Sequence, residues 1–395
     1  MSKPVEKIKV AHVIARVNVG GAALHVMHLA GKLCPPEHPD FESHLYCGYV
    51  GRGEADMSYV AEGLGVPMTY IPELVREVEP RNDWTAFWKL YRAFRHEKPL
   101  VVHTNTSKAG FLGRTAARLA GVPVVLHTFH GHVFEGYFSK RKTEFFIMLE
   151  RLCARLTDHI VVMSAELKRQ FIEVYHLCEP ERILLENVGF DLQLFAAYKR
   201  QNSTFRQTFN IPESTPLVAL IGRFVPIKNH DLFLQAAALV HAQRPEVQFV
   251  LIGDGERRAE IEALVTSLNL DTVVTFTGWV RDVHAVYAAL DCFVLSSKNE
   301  GLPVSMIEAM AAKVPVVSTN VGGVRDLIID STYGALIPPD DAEALAAGIL
   351  RALDKDGLNL EQTQRHVLET YDISVVAQTH AEIYKRLLRK KGYAV

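Results

Sequence analysis

Two constellations in this chain have residue types and spacing suited to gripping a diphosphate. The first is Gly222-Arg223-Phe-Val-Pro-Ile-Lys228-Asn229, which follows the apolar, strand-like run Leu217–Gly222. A strand end places both cations at the mouth of a sheet, where anions bind in α/β architectures. Arg offers a planar fork to phosphate oxygens and Lys a point charge. Asn229 can cap the following helix, whose amide dipoles then aim at the same point. Taken alone, two basic residues in a loop are usually a solvated surface.

The second constellation is Glu300-Gly301-Leu302-Pro303-Val-Ser-Met-Ile-Glu308, two carboxylates separated by seven residues. Proline suits a first helical turn, so Glu300 falls in a loop and Glu308 on a helix. At ~1.5 Å per residue, Glu308 stands about 7–8 Å along the axis from Pro303. That separation suits hydroxyl-bearing groups on either side of a diphosphate at the helix start. An ionised carboxylate accepts two hydrogen bonds, matching the vicinal hydroxyls of a ribose or pyranose. The plain alternative is one loop acid and one helix acid on a solvated face.

Other candidates carry less. His127, His130 and His132 close a strand and invite a zinc reading, but no Cys or HExxH pattern accompanies them and Glu135 is the one carboxylate close by. His127 falls within the strand and is expected to pack. Asp354-Lys-Asp356, a form that could hold a divalent ion, follows a helix in a Gly-containing segment and reads as a solvated turn. The stripe Trp84, Phe87, Trp88, Tyr91, Phe94 recurs at helical spacing and is expected to pack on a sheet rather than stack on sugars. Lys140-Arg141-Lys142, with Arg151, Arg155, Lys168 and Arg169 beyond, is interleaved with Phe145, Phe146, Ile147, Met148 and Leu149. It is either an ordinary amphipathic helix or a surface that docks on an anionic membrane.

The elements that must position these residues alternate along the chain. Strand candidates Lys9–Ala15, Ser43–Tyr49, Leu100–Asn105, Pro123–Thr128 and His159–Ser164 are separated by amphipathic stretches at Ala22–Leu33, Trp84–Lys98, Ala109–Ala120 and Ser139–Thr157. The pattern loosens over Asp191–Pro216 and restarts with strands Leu217–Gly222, Val247–Gly253, Val273–Thr277, Cys292–Ser296 and Val314–Thr319. Strand, helix, strand with short Gly or Pro punctuation predicts parallel sheets covered on both faces, here two Rossmann-like halves facing a cleft. A final amphipathic helix over Val375–Arg389 has no strand after it.

Composition bounds the class. A length of 395 residues suggests two or three domains, and 48% apolar residues exclude a disordered or low-complexity chain. Lys and Arg total 43 against 45 Asp and Glu, so there is no footprint for nucleic acid. Five scattered cysteines without CxxC spacing point away from disulfides and zinc, towards a reducing compartment. No run approaches the ~18 apolar residues of a membrane span, and the charged start is not a signal peptide. The expectation is a cytoplasmic protein.

Gly-Arg-Phe-x3-Lys-Asn followed by Glu-Gly-x6-Glu resembles the family 4 glycosyltransferases of GT-B fold. The resemblance extends to Asn187-Val-Gly-Phe-Asp191, Gly253-Asp-Gly255, Thr277-Gly-Trp-Val-Arg-Asp282 and Val321-Gly-Gly-Val-Arg-Asp326, in that order over nearly the whole chain. It implies an acceptor-binding domain over 1–195, a nucleotide-sugar-binding domain over 196–372 and a helix over 373–395 packing back on the first. It also implies retaining transfer from a nucleotide sugar, usually a UDP-sugar, without metal or other cofactor, to a glycan, lipid-linked or small-molecule acceptor; the basic stretch from Lys140 leaves open a peripheral contact on the inner face of a membrane.

Carried over, Arg223 and Lys228 hold the diphosphate beside Gly222, Glu308 binds the ribose and Glu300 the transferred sugar. The turn Gly301-Leu302-Pro303 lies at the donor, and the backbone around Val280 and Arg281 meets the base. Gly20 and Gly21 match the glycine loop facing the phosphates; glycine there permits close backbone approach. His130 matches a histidine near donor sugar and acceptor, while His132–Ser139 departs from the family pattern and is expected to shape the acceptor site. Two other readings remain at this point: a nucleotide-sugar epimerase or phosphorylase on the same fold, and a non-catalytic nucleotide-sugar-binding subunit.

Overall fold

Runs of β-branched and apolar residues become the buried strands of two parallel sheets. The structure, a computed structural model, describes residues 3–4, 6–51, 56–75, 77–131 and 140–395. It divides into one unit of Met1–Phe190 with Tyr371–Val395 and a second of Asp191–Thr370. The first boundary precedes the expected 195/196 because the short helix Gln193–Ala197 packs within the second unit. The return comes at Tyr371 rather than 373, where the amide of Phe190 donates to the Tyr371 carbonyl.

In the first unit the strands are β1 Ile8–Arg16, β2 Phe41–Gly48, β3 Met68–Tyr70, β4 Val101–Asn105, β5 Val124–Phe129, β6 His159–Val162 and β7 Ile183–Leu185. All pair in parallel in the order β3-β2-β1-β4-β5-β6-β7. Every residue of β4 and β5 is buried, as strands covered on both faces require. Val124 and Leu126 point to one face, towards Ile373, Ala377 and Tyr384 of the last long helix; Val125 points to the other, towards Leu90, Leu112 and Ala116. The chain's final long helix therefore belongs to the core of this first unit. Beyond it, Tyr393–Ala394 pairs in parallel with Lys3–Pro4, so a minimal strand does follow.

In the second unit, β8 Leu217–Ile221, β9 Gln248–Ile252, β10 Val274–Gly278, β11 Cys292–Leu295, β12 Val316–Thr319 and β13 Ala335–Ile337 form a parallel sheet ordered β10-β9-β8-β11-β12-β13. This is the Rossmann order, reversing direction between β8 and β11. β3, β7 and β13 have three residues each, too few to show a period, and were not legible as strands. All five cysteines are free thiols. Among the described residues no helix is long and apolar enough to cross a membrane.

The aromatic stripe departs from expectation. The helix over Pro80–Glu97 buries Ala86, Leu90 and Phe94, and Phe87 and Tyr91 pack partly against that core. Trp84, however, is 65% exposed and Trp88 37%. They lie two residues off the Ala86–Leu90–Phe94 line, which at 100° per residue turns them away from the sheet.

Candidate active site

In a parallel sheet every strand-to-helix loop leaves at the same edge, so residues distant in sequence converge there. The loops after β8, β9, β10, β11 and β12 carry Gly222–Lys228, Gly253–Gly255, Val280–Arg281, Glu300–Pro303 and Gly322–Gly323 respectively. The reversal of strand order opens a crevice between β8 and β11, and the two constellations flank it.

Lys228 ends a short 3-10 turn over Pro226–Lys228. Its ammonium donates to Glu300 Oε1 at 2.6 Å, and the Ser297 hydroxyl donates to the same oxygen at 2.6 Å. The Ser296 hydroxyl bonds the carbonyls of Lys228 and Asn229 at 2.9 and 3.0 Å, clamping the turn to the end of β11. The stem of Lys228 crosses Gly222, where an added Cβ would stand 3.4 Å from Lys228 Cε. Next to it, Arg223 is exposed, and its guanidinium has no hydrogen-bond or ion-pair partner among the described residues. One cation is thus held by a carboxylate and its neighbour is open to a ligand.

Asn229 precedes the helix His230–Gln243 but does not cap it. It adopts φ 51°, ψ 52°, and its amide donates to Asp340 Oδ1 at 3.0 Å. The helix amides are left uncapped by that side chain.

The glycines of the flanking motifs set loop packing. A Cβ at Gly253 would lie 2.0 Å from the Gly222 carbonyl oxygen, and one at Gly255 2.6 Å from that of Phe224. A Cβ at Gly322, which has φ 49°, would lie 1.8 Å from the Glu300 carbonyl oxygen, and one at Gly323 2.0 Å from that of Gly301. These pairs exist so that neighbouring loops can touch backbone to backbone around the crevice.

Pro303 sits at the N-cap of the helix Val304–Ala311, one residue earlier than a first-turn position. Glu308 on that helix accepts from the Tyr287 hydroxyl at 2.7 Å. Burial pushes the Glu308 carboxyl up to about 7, with the Tyr287 bond working in the opposite direction. Near neutrality Glu308 is therefore shared between charged and neutral forms, not a plain carboxylate. Leu302 and Val280 are half-buried; Gly301 and Arg281 are exposed. Asp282, next to Arg281, caps the helix Val283–Ala289 by accepting from the Ala285 amide at 3.1 Å.

Asp354 lies elsewhere. It follows the helix Ala342–Leu353 and pairs with Arg244 at 2.9 Å. Helices in this topology run antiparallel to the strands, so their carboxyl ends lie at the opposite edge of the sheet from Glu300. Among the described residues no group of three His, Cys, Asp or Glu side chains could hold a metal ion.

In the first unit, Gly20 and Gly21 open the helix Gly21–Lys32 after β1. Gly20 is exposed, extended (φ 165°), and a Cβ there would meet nothing within 4 Å. Packing within the chain does not demand that glycine. His130 follows β5, and its Nε2–H donates to Asn105 Oδ1 at 2.8 Å. Burial holds its pKa down to about 4, so the ring is neutral with Nδ1 as the acceptor. His127 is buried in β5 at 2.9 Å from Thr104 Oγ1, a packed residue. His132–Ser139, with Glu135 and Tyr137, lie outside the described residues.

Comparison with known proteins bears on the whole chain. The family described as glycosyl transferases group 1 matches residues 201–368, and the glycosyl transferase 4-like domain matches 20–186. A UDP-Gal:alpha-D-GlcNAc-diphosphoundecaprenol alpha-1,3-galactosyltransferase of Escherichia coli is 30% identical over 357 residues, covering 90% of each chain. The chain is a family 4 glycosyltransferase. A capsular polysaccharide biosynthesis glycosyltransferase, CapM of Staphylococcus aureus, is 23% identical over 74% of this chain and 77% of its own. HepE of Anabaena, solved in complex with UDP, shares the GT-B fold at TM-score 0.79 and 21% identity, covering 96% of this chain and 100% of HepE.

Membership makes this an enzyme of the hexosyltransferase type, built from two parallel-sheet Rossmann-like domains. Three residues that hydrogen-bond candidate site residues within their own units were not read from the sequence: Tyr287, Ser297 and Asn105. Asn105 left a signal, a polar residue ending an otherwise apolar strand at the carboxyl edge. Tyr287 and Ser297 left none, because their partners are 21 and 3 residues away and either could have faced solvent.

Proposed function

We propose that this glycosyltransferase moves a hexose from a UDP-sugar to a lipid-linked glycan with retention of configuration and without a metal ion. The observation that carries the proposal is the Lys228–Glu300 pair at the strand-order reversal, with Arg223 open beside it. The names of the Escherichia coli relative and of HepE support the uridine donor, and that of the first supports a diphospholipid-borne acceptor.

In the free enzyme Glu300 neutralises Lys228. An arriving diphosphate takes over the ammonium and meets Arg223, which frees Glu300 to accept hydrogen bonds from the sugar. Transfer breaks the bond between the anomeric carbon and the phosphate oxygen, and the electron pair leaves on the diphosphate. The two cations stabilise the charge that develops there, the work a divalent ion does in other transferases. The acceptor oxygen bonds the anomeric carbon from the same face, and its proton passes to the departing phosphate oxygen. Glu308 accepts from the ribose hydroxyls, and His130, kept neutral by burial, receives a hydrogen bond at Nδ1. Free thiols suit a cytoplasmic setting.

Arg223→Ala and Lys228→Ala each lower turnover by on the order of 10²–10³ with unchanged circular dichroism. Near-normal transfer by both variants would remove the mechanism. Activity that survives chelation, and an NMR coupling showing the donor's anomeric configuration in the product, test the other clauses. Isomerised donor in the absence of acceptor would instead indicate an epimerase.

A further inference from the structure

Three helices cover one face of the first unit's sheet: Pro80–Glu97, Ser107–Ala120 and Lys140–Arg155. Their inner sides fill the core; their outer sides are unusual. Trp84 and Trp88 on the first, Phe111 on the second, and Phe145, Met148 and Leu152 on the third are each at least 37% exposed. Phe145, Met148 and Leu152 fall at i, i+3 and i+7, one stripe of their helix, with Arg141 and Arg155 continuing it at either end. Trp84 and Trp88 meet edge-to-face at 5.6 Å. The helices are tied side by side by ion pairs, Lys108 to Asp83 and Arg114 to Glu150.

Charge is segregated on the same helices. Leaving out the buried pair Arg114–Glu150, they carry eleven Lys or Arg against three Asp or Glu, whereas the whole chain has 43 against 45. An exposed apolar surface in a basic setting is complementary to one partner above others: a bilayer whose surface is anionic and whose interior accepts aromatic side chains at the headgroup level.

We propose that this three-helix face docks the enzyme on an anionic lipid bilayer, with Trp84, Trp88 and Phe145 entering the interface and Arg141 and Lys142 held at the headgroups. The proposal deepens the lipid-linked acceptor reading and rests on it for its purpose, though not for its evidence. The strand-to-helix edge that carries Asn105 and His130 is also the edge at which these helices begin. A shallowly docked face would hold that edge near lipid headgroups, where a lipid-borne diphosphate lies.

The test is co-sedimentation of the full chain with vesicles of phosphatidylcholine alone or with 30 mol% phosphatidylglycerol, an anionic fraction set at roughly a third to raise surface potential. Binding to the anionic vesicles at low salt should exceed that to neutral vesicles at least about tenfold and fall steeply in high salt. Trp84→Ser/Trp88→Ser and Arg141→Glu/Lys142→Glu, placed on two separate helices, should each lower partition by about tenfold, while circular dichroism and UDP-induced thermal stabilisation stay unchanged. Equal partition of both variants and the native chain overturns the proposal. So does absence of binding to anionic vesicles, or a concentration-dependent dimer that Trp84→Ser/Trp88→Ser abolishes, which would make the face a contact between copies. Vesicle binding without transfer to a lipid-linked acceptor sinks the acceptor reading and leaves the docking face standing.

Discussion

Lys228 Nζ stands 2.6 Å from Glu300 Oε1, joining the loop after one central strand to the loop after its neighbour across the point where strand order reverses. Both side chains are largely buried, at 21% and 12% exposure, so the pair is poorly screened and belongs to the site rather than the surface. Glu300→Gln leaves Lys228 without its charged competitor. UDP affinity should then tighten roughly fivefold, about the worth of one charge-assisted hydrogen bond after losses, while turnover falls because the sugar loses its acceptor group. Isothermal titration alongside steady-state kinetics checks the split; weaker UDP binding by the variant contradicts the exchange.

Glu308 links nucleotide binding to pH. Its carboxyl is raised to about 7 by burial, and only the ionised form accepts freely from two ribose hydroxyls. UDP affinity should therefore weaken as pH falls through 7, and Tyr287→Phe, which removes the bond that lowers the pKa, should move that limb to higher pH. The stability sign is opposite. A carboxyl raised in the folded state contributes stability below its unfolded value, lost as pH rises through about 7. Glu308→Gln should accordingly bind UDP more weakly yet melt higher than the native chain at pH 8, by up to about 3 kcal/mol, with most of that gap gone at pH 5. Thermal melts at both pH values decide it.

Six buried histidines make the first unit acid-sensitive. His12, His25, His103, His127, His130 and His380 all have pKa values lowered chiefly by burial, His12 to about 3 and His130 to about 4. Five of them form a chain of ring contacts, from His12 to His103, His380, His25 and His130, at 5.7–6.1 Å. Depressed values mean the folded state stays neutral while the unfolded chain gains protons below about 6.5. Stability is full above that pH and drops as pH falls, by up to about 1.4 kcal/mol per histidine per pH unit. Urea midpoints should fall steeply between pH 6.5 and 5, and hydrogen exchange should show the first unit opening before the second. A flat profile would contradict buried neutral rings.

Glycines separate into two kinds by one substitution each. Gly323→Ala drives a Cβ to within 2.0 Å of the Gly301 carbonyl oxygen and should cost roughly 2–4 kcal/mol of stability along with donor affinity. Gly20→Ala meets nothing within 4 Å, so its melting temperature should not move while KM for the donor rises. A destabilised Gly20→Ala would show that the glycine serves the fold and not the ligand.

Much of this enzyme was determined by local chemistry. Strand and helix periods placed the long elements, because apolar residues recurring every 2 or about 3.6 positions fit one type of element. The motifs around Arg223, Lys228, Glu300 and Glu308 identified the family, because close loop contact at Gly253, Gly255, Gly322 and Gly323 admits no side chain. What remained was pairing between distant segments. That Glu300 neutralises Lys228, that Tyr287 bonds a Glu308 whose pKa burial raises, and that Trp84 and Trp88 face outward while Phe94 faces in were decided only when the sheets assembled. Electrostatics and burial depend on which surfaces meet, and a linear chain does not carry that information locally.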